Sequence, residues 1–193
     1  MNKGRLEAFS DGVIAILITI MMLELHAPLQ SSLAALDPVL PVLGCYVLSF
    51  VFIGIYWSNH HHLLQLVRQV NGAILWANLH LLFWLSLIPF VTDWMGNNQF
   101  ATWPVALYGV VLLMCGIAYS ILARALIRQQ GRDSVLAKAI GQDLKGNISL
   151  IAYAAAIPLA FPARWLSLAL YVLVALMWLV PDRRIERRVQ DEP

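Results

Sequence analysis

The residues best able to do chemistry stand in a long apolar segment near the start of the chain. The stretch RLEAFSDGVIAILITIMMLEL carries these polar side chains among others: Arg5, Ser10, Asp11, Thr19 and Glu24. A carboxylate costs about 2.5–3.5 kcal/mol at the centre of a membrane helix, so Asp11 implies either a packing partner or a permeant species. Because Asp11 lies near one end of the segment, a role in helix packing is the simpler interpretation. Glu24, at the other end, is interpreted as a solvated rim charge.

A second polar cluster, SNHHHLL, contains three consecutive histidines, His60, His61 and His62. On a helix these side chains point in three directions, so at most two could bind one metal ion. Zinc ligands on one helix favour i, i+4 spacing, which the cluster lacks. We therefore expect no metal and no cofactor, and interpret the cluster as a hydrogen-bonded helix end that reaches Ser10 or Asp11.

Asn78 and His80 lie in a further apolar run, WANLHLLFWLSLIPF. Polar side chains in such a run more often hydrogen-bond between helices than catalyse a reaction. The sequence has no GxSxG, HExxH, P-loop or GxGxxG motif, and it lacks the TVGYG filter of backbone carbonyls. We therefore do not expect an enzyme.

The elements that must position these residues are membrane helices. Of the 193 residues, 60% are hydrophobic and 12% charged, whereas soluble domains have about 25% charged residues. A membrane-spanning helix needs about 20 apolar residues. The sequence predicts an all-α, polytopic membrane protein with six such helices, at 6–25, 38–62, 73–95, 101–123, 146–161 and 164–181.

Proline and glycine positions refine this prediction. Pro89 is expected to kink the third helix, and Pro162 marks a tight hairpin between the fifth and sixth. The fourth helix should continue beyond its apolar run and break at Gly131. Because the loops are short, we predict one transmembrane domain over 1–181 and a charged cytoplasmic tail over 182–193.

The basic residues predict the orientation in the membrane. With six spans, 12 of the 13 lysines and arginines fall on one side, and Arg164 is the exception. Cytoplasmic loops carry such an excess, so we expect a multi-pass protein of the cell membrane with both termini in the cytoplasm. The net charge of +2 gives no reason to expect a nucleic-acid partner.

Helical periodicity divides the first helix into two faces. At about 100° per residue, Gly12, Thr19, Ile20 and Leu23 all lie within about 60° of Ile16. They form one stripe of branched apolar residues with small or hydroxyl neighbours.

The remaining polar residues of this helix divide between the two faces. Arg5 and Phe9 continue the stripe toward the cytoplasmic end, about 20° from Ile16. Ser10 and Asp11 lie about 120–140° away. The carboxylate is therefore predicted to face protein while the stripe faces elsewhere.

These residues together resemble the prokaryotic TMEM175-type potassium channel family. Its first helix carries an arginine, three further residues and Phe-Ser-Asp, then an apolar run with a threonine and a final Leu-Glu. The matching residues here are Arg5, Phe9, Ser10, Asp11, Thr19, Leu23 and Glu24. The segments YWSNHHHL and NLHLLFWLSLIPF look similar to parts of the second and third helices, and the likeness covers the whole six-helix length.

The resemblance implies a homotetramer in the lipid bilayer, with four copies of the first helix lining a central pore for potassium. Other monovalent cations stay open as permeant ions. Ile16, Ile20 and Leu23 would form a hydrophobic constriction in place of a carbonyl filter, and Thr19 would influence selectivity. A structural polar network would join the first helix to the next two through Arg5, Phe9, Ser10, Asp11, His61, Asn78 and His80. His60 and His62 stay open as alternatives to His61.

Two other classes of protein remain open on the residues. A secondary transporter or proton-coupled carrier could use Asp11 and the histidine cluster, although neither inverted repeats nor paired broken helices are visible. A structural or enzyme-like membrane protein could use the histidines alone. Ion flux and metal analysis separate these alternatives.

Overall fold

A computed structural model of the chain describes residues 3–67, 69–131, 134, 136–137, 141 and 143–179. Within these residues the regular structure is entirely helical. The α-helices are α1 (Lys3–Leu23), α2 (Leu40–Gln65), α3 (Gly72–Ser86), α4 (Ile88–Asn97), α5 (Thr102–Gln130) and α6 (Leu144–Leu179). A short 3-10 helix, Leu33–Leu36, precedes α2.

Five segments of the described chain are long and apolar enough to cross a membrane, with α3 and α4 together forming one of them. The kink predicted in that segment is confirmed, because the helix is interrupted at Leu87, two residues before Pro89. A proline lacks the N–H that would continue the helical hydrogen bonds. The interruption therefore follows directly from the sequence.

The last long helix, α6, folds back on itself. Ala163 has non-helical backbone angles (φ −152°, ψ 66°) directly after Pro162. Beyond it, the Trp178 indole donates to the Ser149 hydroxyl oxygen at 2.9 Å. These residues would be about 43 Å apart along a straight helix. The chain therefore reverses next to Pro162, where the sequence predicts a hairpin.

Local sequence explains several helix ends. The Asn71 side chain accepts a hydrogen bond from the Ile74 amide at 3.0 Å and caps α3. Asp143 caps α6 in the same way through the Gly146 amide. The continuation of α5 past its apolar run is confirmed, since it ends at Gly131, whose φ of 93° suits a glycine.

The central helix of the bundle is α5, which packs against α3, α4 and α6. Its buried Tyr108 hydroxyl hydrogen-bonds the Ser49 hydroxyl at 2.9 Å, and Ser49 reaches Thr92 at 2.6 Å. Cys45 and Cys115 are both buried here as small core residues, as expected from their apolar surroundings.

Some predicted boundaries need correction. The second helix begins at Leu40 and runs to Gln65, three residues beyond the predicted end. Its last turn bears Leu63 and Leu64, which are buried, so packing extends the helix past the histidines. The predicted tail, 182–193, and the last residues of the predicted sixth helix lie outside the described residues.

Candidate pore helix and its attachments

The helix α1 packs against α2, α3 and α4 through one face only. The buried side chains on this face recur every three or four residues, which is the period of one helix face. They are Leu6, Ser10, Ile14, Leu17 and Met21. The other helices of the chain thus cover one face of α1, and the rest of its surface is half-buried or exposed.

The predicted apolar stripe lies on the uncovered side. The exposed fractions are 56% for Ile16, 39% for Ile20 and 76% for Leu23. Thr19 is also exposed, and its hydroxyl donates to the Ile16 carbonyl oxygen at 2.8 Å. A row of large exposed apolar side chains is typical of a surface that contacts lipid or another protein chain.

A buried polar network crosses three helices on the opposite side of α1. The Asn78 amide of α3 donates to the Ser10 hydroxyl oxygen at 2.9 Å, and Ser10 donates to the Leu6 carbonyl. The Asn78 carbonyl oxygen lies 2.7 Å from Nε2 of His60 on α2. All three polar side chains are almost fully buried.

The second-helix member of this buried network is His60, whereas the predicted His61 contacts Glu7 of α1. Because the Asn78 amide nitrogen donates to Ser10, its oxygen must accept the bond from His60, whose Nε2 therefore carries the proton. The Nδ1 of His60 is buried without a hydrogen-bond partner among the described residues. Only the rotation of α2 about its axis selects His60 from the three adjacent histidines.

A second set of contacts joins α1 to α2 nearer the surface. The Trp57 indole donates to Asp11 Oδ1 at 3.0 Å, Glu7 Oε1 lies 3.1 Å from Nδ1 of His61, and Lys3 Nζ donates to the Gln65 carbonyl at 2.9 Å. We call these three pairs the polar ladder: Lys3–Gln65, Glu7–His61 and Asp11–Trp57.

The polar ladder follows from the spacing of its members. Its residues recur every four positions on both helices, which places them on one face of each. Three of these partners, Lys3, Glu7 and Gln65, were missed because motif comparison draws attention to Phe-Ser-Asp and to the histidines. The i, i+4 spacing of Lys3, Glu7 and Asp11 was the available signal, whereas Gln65 contributes its backbone carbonyl oxygen.

The other predicted network residues, His80, Arg5 and Phe9, lie outside the buried network and the polar ladder. His80 accepts a hydrogen bond from Trp84 on its own helix, at 2.9 Å, and its connection to α1 stays a prediction. Arg5 and Phe9 are exposed on the same side as the apolar stripe. No group of three or more potential metal ligands occurs among the described residues.

The fold and this site define a polytopic helical membrane protein. One face of its first helix packs against and hydrogen-bonds the neighbouring helices, and another face is apolar and exposed. A model of the TMEM175 family, described as the endosomal/lysosomal potassium channel TMEM175, matches residues 5–89. A potassium channel of Chryseobacterium sp. (strain P1-3) is 54% identical over 99% of this chain and 100% of its own length. A potassium channel of Streptomyces collinus is 31% identical over 92% of each chain.

A solved structure agrees with these relatives. The crystal structure of a lysosomal potassium-selective channel TMEM175 homolog from Chamaesiphon minutus superposes with a TM-score of 0.77 and 28% identity, covering 92% of this chain and 96% of that chain. The chain belongs to the TMEM175 family, which is a family of channels and not of enzymes.

Proposed function

We propose that the protein is a potassium-permeable cation channel, assembled as a homotetramer with α1 of each copy around a central pore. This proposal depends on the two faces of α1. One face packs against the other helices of the same chain, and the other is exposed and bears Ile16, Ile20 and Leu23. Family membership supports potassium as the permeant ion.

The spacing of small residues supports contact between copies of α1. Gly4, Ala8, Gly12 and Ala15 are all exposed and stand three or four positions apart. Small residues at this spacing allow membrane helices to approach closely. They lie beside the apolar stripe, so neighbouring copies could pack against one edge of α1 while the stripe faces the axis.

The reversal in α6 supports six membrane crossings per chain. It divides 144–179 into two antiparallel helical arms, which raises the five long apolar segments to six crossings. An even number of crossings puts both termini on one side of the cell membrane. The distribution of lysine and arginine favours the cytoplasm for that side.

A ring of Ile16, Ile20 and Leu23 side chains gives an ion no replacement for its water shell. Such a ring dewets when narrow and closes the pore. When it widens, a partly hydrated ion passes, and potassium releases water more readily than sodium. Four Thr19 side chains would add hydroxyl oxygens within this ring.

The buried network and the polar ladder would set the rotation of α1, because hydrogen bonds of fixed geometry allow few alternatives. Ser10, Asp11 and Asn78 belong to these contacts. The exposed Arg5 and Phe9 would contact neighbouring copies in the tetramer and complete their network there.

The deciding experiment is ion flux from liposomes that contain purified protein, with potassium, sodium and caesium compared. We expect passive flux down the gradient, with potassium preferred over sodium. Empty liposomes provide the baseline, and native mass spectrometry of the same sample should give four copies. Absence of flux at several voltages and pH values would contradict a channel.

The same liposomes distinguish a carrier. Transport that requires a proton gradient, or that saturates at carrier-like rates, would favour a proton-coupled carrier using Asp11. A pH-sensitive dye inside the liposomes measures proton movement directly. We expect potassium flux without an imposed proton gradient.

A further inference from the structure

Two arginines line a hollow at the C-terminal end of α5. Arg124 and Arg128 stand four positions apart, so they lie on one face of the helix, and both are exposed. Together with Ile127 and Gly131 they line a hollow of about 330 Å³. Gly131 leaves the hollow open, since a Cβ atom there would meet nothing within 4 Å. The hollow therefore presents two basic side chains to the surroundings of the protein.

The positive charge of this hollow is not balanced by the part of the chain that the structure describes. No described carboxylate forms an ion pair with either arginine. Asp143, at the start of α6, instead accepts a hydrogen bond from the Gly146 amide at 2.9 Å. Arginine binds phosphate groups through paired N–H donors. Two guanidinium groups on one helix face therefore suit a ligand that carries anionic phosphate oxygens.

The length of α5 places the arginines at the depth of phospholipid headgroups. Trp103, near the start of α5, is 68% exposed, and tryptophan side chains prefer the interface between membrane and water. Arg124 lies about 32 Å further along the helix, which is close to the thickness of a bilayer's hydrocarbon core, about 30 Å. Arg128 lies about 6 Å beyond Arg124. Both arginines therefore fall in the headgroup layer of the opposite leaflet.

The same face of α5 is apolar where it enters the hydrocarbon core. Ile117, Ile121, Arg124 and Arg128 follow one another at intervals of three or four residues, which places them on one helix face. Ile121 is 41% exposed, and Ile117 is half-buried. An acyl chain can lie along these isoleucines, whereas a free phosphate ion gains nothing from them. The apolar face that ends in two arginines therefore matches a phospholipid better than a soluble anion.

We propose that the face of α5 formed by Ile117, Ile121, Arg124 and Arg128 binds an anionic phospholipid. The arginines hold its phosphate, and the isoleucines contact an acyl chain. The distribution of lysine and arginine predicts that this end of α5 is cytoplasmic, and anionic lipids give the cytoplasmic leaflet its negative surface potential. The site includes no residue of the candidate pore helix, so it does not depend on the proposed channel function.

Arg164 provides a matched control on the opposite side of the membrane. It is exposed like Arg124, but its guanidinium carbon lies over the Trp165 ring, 5.5 Å from the ring centroid. Arg164→Gln removes the same charge as Arg124→Gln and leaves the hollow on α5 unchanged.

The experiment is native mass spectrometry of delipidated full-length protein, titrated with phosphatidylglycerol or with phosphatidylcholine of the same acyl chains. We expect the wild type to bind phosphatidylglycerol more tightly. Arg124→Gln and Arg128→Gln should each weaken this binding about fivefold, and the double variant about 25-fold, because each basic residue near an anionic lipid surface contributes about that factor. Arg164→Gln should keep the wild-type affinity.

A second measurement locates the lipid and requires no substitution. Photo-crosslinkable phosphatidylglycerol in nanodiscs should label residues 117–128 of the wild type, and tenfold excess unlabelled phosphatidylglycerol should suppress the labelling. Labelling confined to other segments, equal affinity for the two lipids, or equal effects of Arg124→Gln and Arg164→Gln would each overturn the proposal. Loss of labelling in millimolar inorganic phosphate would overturn it too, and would identify the hollow as a site for a soluble anion.

Discussion

The helix α1 and the α5–α6 region are held in place by different forces. In the most apolar part of each helix, 28% of the α1 residues are buried, against 50% in α5 and 33% in α6. The attachments of α1 include the buried network and the polar ladder. The α5–α6 contact is mainly steric and aromatic, with Tyr171 against Gly109. A hydrogen bond from the Tyr171 hydroxyl to the Val105 carbonyl oxygen, at 3.2 Å, supplements it.

Close packing and hydrogen bonding have different effects on a helix bundle. Close packing stabilises a membrane bundle through many small attractions, and losing one rarely changes the arrangement. Hydrogen bonds fix direction, so a small number of them can set the rotation of a lightly packed helix. We therefore expect changes on the exposed face of α1 and in the polar ladder to alter flux more than stability, and changes in the buried network or at α5–α6 to do the reverse.

The largest effect on stability from an α1 contact should come from Asn78→Ala. The substitution removes both network bonds and leaves His60 buried without a partner, which should lower the free energy of unfolding by about 2–3 kcal/mol. Thermal unfolding in detergent measures the loss. Asn97→Ala is the matched control, because Asn97 is exposed and bonds only Asp93 on its own helix. Equal effects of the two substitutions would contradict a network role for Asn78.

Two glycines, Gly109 on α5 and Gly12 on α1, provide a direct test of the difference between the α5–α6 region and α1. A Cβ atom at Gly109 would overlap the Tyr171 hydroxyl and approach its ring carbon Cζ to 2.9 Å, whereas one at Gly12 meets nothing within 4 Å. Gly109→Ala should cost about 1–3 kcal/mol by overpacking. Gly12→Ala should leave the thermal midpoint unchanged or raised, since alanine favours helix, and should alter flux. A greater loss of stability from Gly12→Ala than from Gly109→Ala would contradict this difference between α1 and the α5–α6 region.

The exposed stripe is tested by Ile20→Asn and Leu23→Asn. A polar ring wets more easily, so each substitution should raise potassium flux about tenfold, equivalent to about 1.4 kcal/mol of barrier, and should reduce the preference over sodium. Liposome flux at equal protein density measures both quantities. Leu29→Asn, at a fully exposed loop position, is the control. If both variants keep wild-type currents and ion preference, the stripe is not the gate.

The smallest expected effect on stability is that of Trp57→Phe. It removes the indole donor to Asp11 but keeps an aromatic ring beside His61, which now lies 6.1 Å away between ring centroids. Stability should fall by only about 0.6 kcal/mol, the average for a hydrogen bond between membrane helices. Flux should nevertheless change, because the direction of α1 is less well fixed. Trp76→Phe, at an exposed position on α3, should change neither quantity.

Much of the helical layout could be predicted from residue types alone. Apolar length predicted the long helices, Pro89 the interruption at Leu87, and Pro162 the reversal at Ala163. These features depend on interactions within a few residues of the chain. Helix ends were less accurate, because the end of α2 at Gln65 depends on the burial of Leu63 and Leu64.

In the candidate site, too, some features could be predicted from the sequence and others depended on the tertiary structure. Periodicity alone separated the stripe of Ile16, Ile20 and Leu23 from the side of α1 that bears Ser10 and Asp11, because a helix fixes the angle between its own residues. The choice of His60 over His61, and the pairing of Asp11 with Trp57, required the packed bundle. Adjacent residues differ by about 100° in direction, so the rotation of α2 against α1 and α3 decides which side chains meet. That rotation is a property of the tertiary structure, whereas the faces of each helix were already determined by the sequence.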